Sequence, residues 1–109
     1  MAQSAIAKLS AYQIPSVVLT EALTGDHRRD FDEHRLISLC QVRDVTEALA
    51  REGARLRTMT GRAGTISATD AIVAALALTF PSPVVLTSDP DDFAALVDEH
   101  PGQVIISRA

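Results

Sequence analysis

Apolar and polar positions along the chain alternate between two periods, and the alternation predicts an order of elements. Residues 2–11 (AQSAIAKLSA) form a weak amphipathic helix with Ile6 and Leu9 on one side. Residues 12–15 are a short extended piece. Ser16 suits the cap of a second helix, VVLTEAL, that stops at Gly25, although VVLT also reads as strand. Residues 26–35 (DHRRDFDEHR) are a charged, solvated segment of helical character, and residues 37–42 read as a strand. In residues 44–57, Asp44 and Glu47 have capping-box spacing, and Val45, Leu49 and Leu56 recur on one face of a helix. Two glycines mark 58–65 as a loop. SATDAIVAALALTF (67–80) is apolar nearly all round after Asp70, which predicts a buried helix ended by Pro81 and Pro83. A strand at 84–86, a helix at 91–99 and a strand at 103–107 complete the chain.

Strands that alternate with helices predict an α/β fold of three layers, in which a short parallel sheet carries helices on both faces. The strands are short and β-branched, as strands covered on both faces are. The 109 residues fit one domain over 1–109.

Composition narrows this picture in a few ways. With no tryptophan and few aromatics, the core must be built from Ala, Val, Leu and Ile. The single cysteine, Cys40, has no internal disulfide partner, and its apolar flanks suggest a buried structural thiol. No apolar run reaches the ~18 residues of a membrane span, and the N-terminus lacks the apolar stretch of a signal peptide, so a cytoplasmic protein is expected. A net charge of −4 does not advertise a nucleic-acid binder, but clustered basic residues would still permit one.

The candidate chemistry lies in the carboxylates. LTSDPDDF follows a core strand and crowds Asp89, Asp91 and Asp92 into four positions. Helix capping accounts for this stretch by itself: Asp89 suits the N-cap, Pro90 the first helical position, and Asp91 and Asp92 the positive end of the dipole. In parallel sheets, however, sites lie beyond the carboxyl ends of the strands, which is where this stretch falls. Asp70 completes a capping box with Ser67, yet it also heads the most apolar helix, where a carboxylate is costly unless paired, protonated or bound to a cation. Glu21 falls three and four residues after Val18 and Val17, on the apolar side of its helix, and both a solvated and a functional reading stay open there. Carboxylates at several element ends are suitable ligands for Mg²⁺ or Mn²⁺. His27, His34 and His100 fall in charged or loop surroundings and read as solvated surface, and the chain has no Gly-rich phosphate loop, CxxC pair or serine elbow.

Four stretches then resemble the PIN domain, the fold of VapC-type toxin ribonucleases: IPSVVLTEALTG, VTEALAREGARLRTMTG, ISATDAIVAALAL and VVLTSDPDDFAAL. The resemblance covers 13–107. It implies that Glu21 matches the family's helix glutamate, Asp70 its third acid, Asp89 its fourth, and Asp92 the acid or histidine before the phenylalanine. It implies a Mg²⁺- or Mn²⁺-dependent endoribonuclease with Glu21, Asp70 and Asp89 as catalytic residues and Asp70, Asp89, Glu21 and Asp92 as metal ligands. Its partners would be an RNA substrate, a cognate antitoxin and a second copy of the chain in a homodimer, with no membrane. Arg51, Arg55, Arg57 and Arg62 would steer RNA phosphates, although their helical spacing equally describes a solvated face.

The family opens with a strand that bears its first aspartate, whereas only twenty residues precede Glu21 here and none is acidic. The chain is therefore expected to be incomplete at its N-terminus relative to the family. A second reading follows, in which it is a catalytically inactive, truncated PIN-like protein that binds or assembles. A third, a Mg²⁺ phosphatase or receiver-like module, is disfavoured because the first visible strand ends without an acid.

Overall fold

The structure, a computed structural model, describes residues 12–100 and 102–108. The helix expected over 2–11 lies outside the described residues. The fold is an α/β arrangement of short parallel strands and helices. It falls into two compact units, Met1–Val45 and Thr46–Ala109.

In the first unit, β1 (Gln13–Pro15) pairs in parallel with β2 (Gln41–Arg43), so that Ile14 stands opposite Val42. The Gln13 amide donates to the Gln41 side-chain oxygen at 2.8 Å across the pair. The helix expected after Ser16 is a 3₁₀ turn over Ser16–Val18 that runs into the single turn of α1 (Leu19–Ala22). Ser16 is not its cap: Pro15 holds that position, with no side-chain hydrogen bond. Two adjacent β-branched valines crowd a full α-turn, which agrees with the tighter winding there. Gly25 supplies the positive φ of +89° that redirects the chain.

Further expectations for this unit are corrected. The segment 26–35 is not uniformly solvated, because Asp30 is only 2 % exposed. Its carboxylate accepts from the Thr24 N–H, the Thr24 hydroxyl and the Gly25 N–H at 2.8–3.0 Å, which closes the loop before α2 (Phe31–Ile37). The strand expected over 37–42 shortens to β2. Ile37 ends α2, and tight turns from Leu39 to Leu36 and from Cys40 to Ile37 intervene before the Gln41 N–H finds the Tyr12 carbonyl at 2.7 Å. An apolar run this short fits either period, and the backbone partner on β1 decides where the strand begins. Cys40 is half-buried rather than buried, and its thiol faces the Leu36 carbonyl at 3.6 Å.

In the second unit, α3 (Glu47–Met59) is capped by Thr46, whose hydroxyl accepts from the Leu49 N–H at 3.1 Å, and not by Asp44. The helix closes where Gly61, at φ +68°, returns its N–H to the Thr58 carbonyl. The buried helix α4 (Ala68–Ala77) starts at Ser67 as expected and packs its alanines against α3. Gly53 lets the two backbones approach: a Cβ there would stand 3.3 Å from Ile72 Cγ1 and 3.4 Å from the Ala71 carbonyl. β3 (Val84–Thr87) pairs in parallel with β4 (Ile105–Arg108), with Val84 opposite Ile105 and Thr87 opposite Arg108. α5 (Pro90–Leu96) lies between these strands in sequence. Val85, Phe93, Leu96, Leu56 and Ile66 close the core with the α4 alanines, while Val84, Leu86 and Ile105 are exposed.

Candidate metal centre

Period-two alternation along β3 turns Val85 and Thr87 into the core, and the chain then leaves the sheet through Ser88 and Asp89. The Thr87 hydroxyl accepts the Asp89 N–H at 2.9 Å and fixes this exit. Asp89 stands at the N-cap position of α5, but its side chain makes no capping hydrogen bond, so capping does not account for the carboxylate. Asp92 follows in the first turn of α5. Asp70 occupies the first turn of α4, where Ser67 Oγ accepts its N–H at 3.0 Å.

These local devices bring Asp70, Asp89 and Asp92 together. Each offers one carboxylate oxygen, and the three oxygens lie within 4.8 Å of one another, with Asp70 and Asp92 half-buried and Asp89 exposed. Three hard oxygen donors suit Mg²⁺ or Mn²⁺, whose opposite ligands stand about 4.2 Å apart, so small side-chain adjustments would close this set on one ion.

The four arginines expected along this stretch take different roles. Arg51 pairs with Glu47 at 2.8 Å, with both side chains exposed. Arg55 bridges Glu52 and Glu99 at 2.6 and 2.8 Å. Hydrogen bonds from Arg55 hold the Glu52 carboxyl below its ordinary pKa, and those to Glu52 and Glu99 raise the guanidinium's pKa. Arg57 donates to the Ile66 carbonyl at 2.6 Å. Arg62 alone of the four meets the acid cluster, through Nη2 on Asp92 Oδ1 at 2.8 Å. Glu21 lies in the first unit, on α1, and is exposed. His100, expected at the surface, is half-buried, and its Nε2 has no hydrogen-bond partner among the described residues. Sequence pattern alone does not single out Thr87, although it stands two positions before Asp89.

An α/β unit that gathers three carboxylates beyond a strand end is equipped for divalent-cation chemistry. The family model described as "PIN domain" matches residues 2–99, and the chain belongs to that family. Neither a curated protein nor a solved structure gives a significant match. The PIN domain is a nuclease fold that acts on RNA, in general with divalent metal ions. Among the described residues no helix is long and apolar enough to cross a membrane.

Proposed function

We propose that the chain is a Mg²⁺- or Mn²⁺-dependent endoribonuclease of the PIN class and the toxin component of a type II toxin–antitoxin pair, acting in the cytoplasm. The observation that carries the metal-dependent reading is the gathering of Asp70, Asp89 and Asp92 within 4.8 Å. Asp70 and Asp89 would hold the ion, each from a backbone position fixed by a neighbouring hydroxyl. Asp92 adds a third carboxylate, and the resemblance of IPSVVLTEALTG assigns Glu21 the fourth. A bound ion would supply positive charge to the scissile phosphate and acidify an attacking water. The carboxylates orient that charge and keep it at the strand end. The toxin role, the cognate antitoxin and the homodimer rest on the family resemblance; exposed Phe31, Leu36 and Leu39 are consistent with a protein partner.

A second reading, a catalytically inactive binding module, is favoured by one feature: Arg62 already neutralises Asp92 from within the chain. RNA cleavage by the purified protein separates the two. The nuclease reading expects cleavage that EDTA abolishes, Mn²⁺ restores and Asp70→Asn removes without unfolding the chain. Cleavage that persists in EDTA, or a folded wild-type protein that binds Mn²⁺ and leaves RNA intact, would overturn it.

A further inference from the structure

We infer that Arg62 is an exchangeable counter-ion: it holds Asp92 while the cluster carries no cation, and it turns to a substrate phosphate when the cluster is loaded. The inference rests on the metal centre proposed above.

Three carboxylates this close repel one another and draw a positive group. Arg51, Arg55 and Arg57 are committed to Glu47, to Glu52 and Glu99, and to the Ile66 carbonyl. Arg62 supplies charge to Asp92, and its backbone is held by hydrogen bonds while its guanidinium has this one contact among the described residues. Its N–H donates to Thr60 Oγ1 at 2.9 Å, and its carbonyl accepts from Thr65 N, Ile66 N and the Thr65 hydroxyl at 2.9–3.1 Å. The guanidinium, by contrast, touches Asp92 through one nitrogen only, in a pair whose side chains are 47 % and 24 % exposed. Such half-solvated pairs are weak and exchange readily. Most of the five guanidinium donors are left over, in the fork that matches a phosphate. A cation on the Asp92 carboxylate would neutralise the charge that Arg62 now balances and repel the guanidinium, leaving a planar cation beside the loaded centre. Arg62 is thus a positioning residue whose partner depends on the state of Asp92.

The test measures Mn²⁺ binding by electron paramagnetic resonance for the wild type, Arg62→Gln, Arg62→Lys and Asp89→Asn, with circular dichroism to show that each is folded. Adenosine 5′-monophosphate, which carries a phosphate but no internucleotide bond, then probes the Mn²⁺-loaded proteins. Removing the competitor should tighten Mn²⁺ binding by about two- to five-fold in Arg62→Gln, the range that weak exposed ion pairs support. The same substitution should weaken binding of the monophosphate several-fold, with part of the affinity kept in Arg62→Lys. Equal or weaker Mn²⁺ affinity in Arg62→Gln, or an unchanged monophosphate affinity, overturns the exchange. If Asp89→Asn loses Mn²⁺ while Arg62→Gln matches the wild type, the metal centre stands and only the exchange falls. No Mn²⁺ binding by the wild type overturns both.

Discussion

Thr87 Oγ1 accepts the backbone N–H of Asp89 at 2.9 Å, and Ser67 Oγ accepts that of Asp70 at 3.0 Å. Two of the three clustered carboxylates are thus set by a hydroxyl two or three residues before them. The Thr87 bond is the more sheltered, because Thr87 is among the buried polar residues of the second unit. Thr87→Val keeps the shape of the side chain and removes the acceptor. It should cost about 0.5–1.5 kcal/mol of stability and weaken Mn²⁺ binding, both measured on one preparation by urea denaturation and metal titration. Unchanged Mn²⁺ affinity would show that the turn at Asp89 holds its shape without the hydroxyl.

Loading the cluster should stabilise the protein, because the ion binds the folded cluster and not the unfolded chain. At a Mn²⁺ concentration about 100 times Kd the gain is about 2.7 kcal/mol, read as a rise in Tm by differential scanning fluorimetry. Asp89→Asn should abolish the rise. Asp91→Asn, an exposed acid outside the cluster but in the same short stretch, should preserve it. An equal loss in both variants would mean that Mn²⁺ responds to diffuse negative charge and not to this set of ligands.

The contact between α3 and α4 gives a prediction about packing. Alanine at position 53 gains helix propensity of up to about 1 kcal/mol over glycine. Its Cβ, however, would meet Ile72 Cγ1 at 3.3 Å and Ala71 backbone atoms at 3.4 Å, and Ala71 cannot swing away. The two effects should nearly cancel in Gly53→Ala, whereas Gly53→Leu should lose about 1–3 kcal/mol through overpacking. Equilibrium denaturation distinguishes them, and a Gly53→Leu protein as stable as the wild type would show that the helices separate freely.

Much of this architecture is legible in the sequence where a local pattern and its tertiary partner agree. SATDAIVAALA carries both the cap and the apolar surface, so the start and burial of α4 are readable, as is the placing of Asp70 in its first turn. VVLTSDPDDF likewise announces a strand followed by an acid-headed helix. Legibility fails where two residues compete for one role. Asp44 has the capping-box partner Glu47, but the chain leaves β2 extended through Thr46, which makes Glu47 the first helical residue and gives Thr46 the bond to the Leu49 N–H. It fails again where the deciding partner is distant in sequence, as at Gln41, whose strand begins where Tyr12 can accept its N–H. Nothing local marks Arg62 as the arginine that meets Asp92, thirty residues on, while Arg51, Arg55 and Arg57 at similar spacing go elsewhere.

Asp30 could not be read from its charged surroundings either, and it carries the clearest pH prediction. Burial alone would raise its pKa; the Thr24 N–H, the Thr24 hydroxyl, the Gly25 N–H and the nearby His34 outweigh that and leave it below its ordinary value of 3.8. A carboxyl whose pKa is lower folded than unfolded stabilises the fold fully above the unfolded value and loses that contribution as pH falls through the folded one. Asp30→Asn keeps the size of the side chain but offers a single oxygen where the carboxylate now accepts with two. At neutral pH the variant should therefore melt below the wild type, and by more than Asp32→Asn, whose exposed side chain is the control. As pH drops below about 4, the gap between wild type and Asp30→Asn should narrow, because the wild-type carboxyl becomes protonated and loses the same bonds. Melting curves from pH 7 to pH 3 measure this, and a gap independent of pH would mean that the loop at Thr24 and Gly25 depends on the shape of the Asp30 side chain and not on its charge.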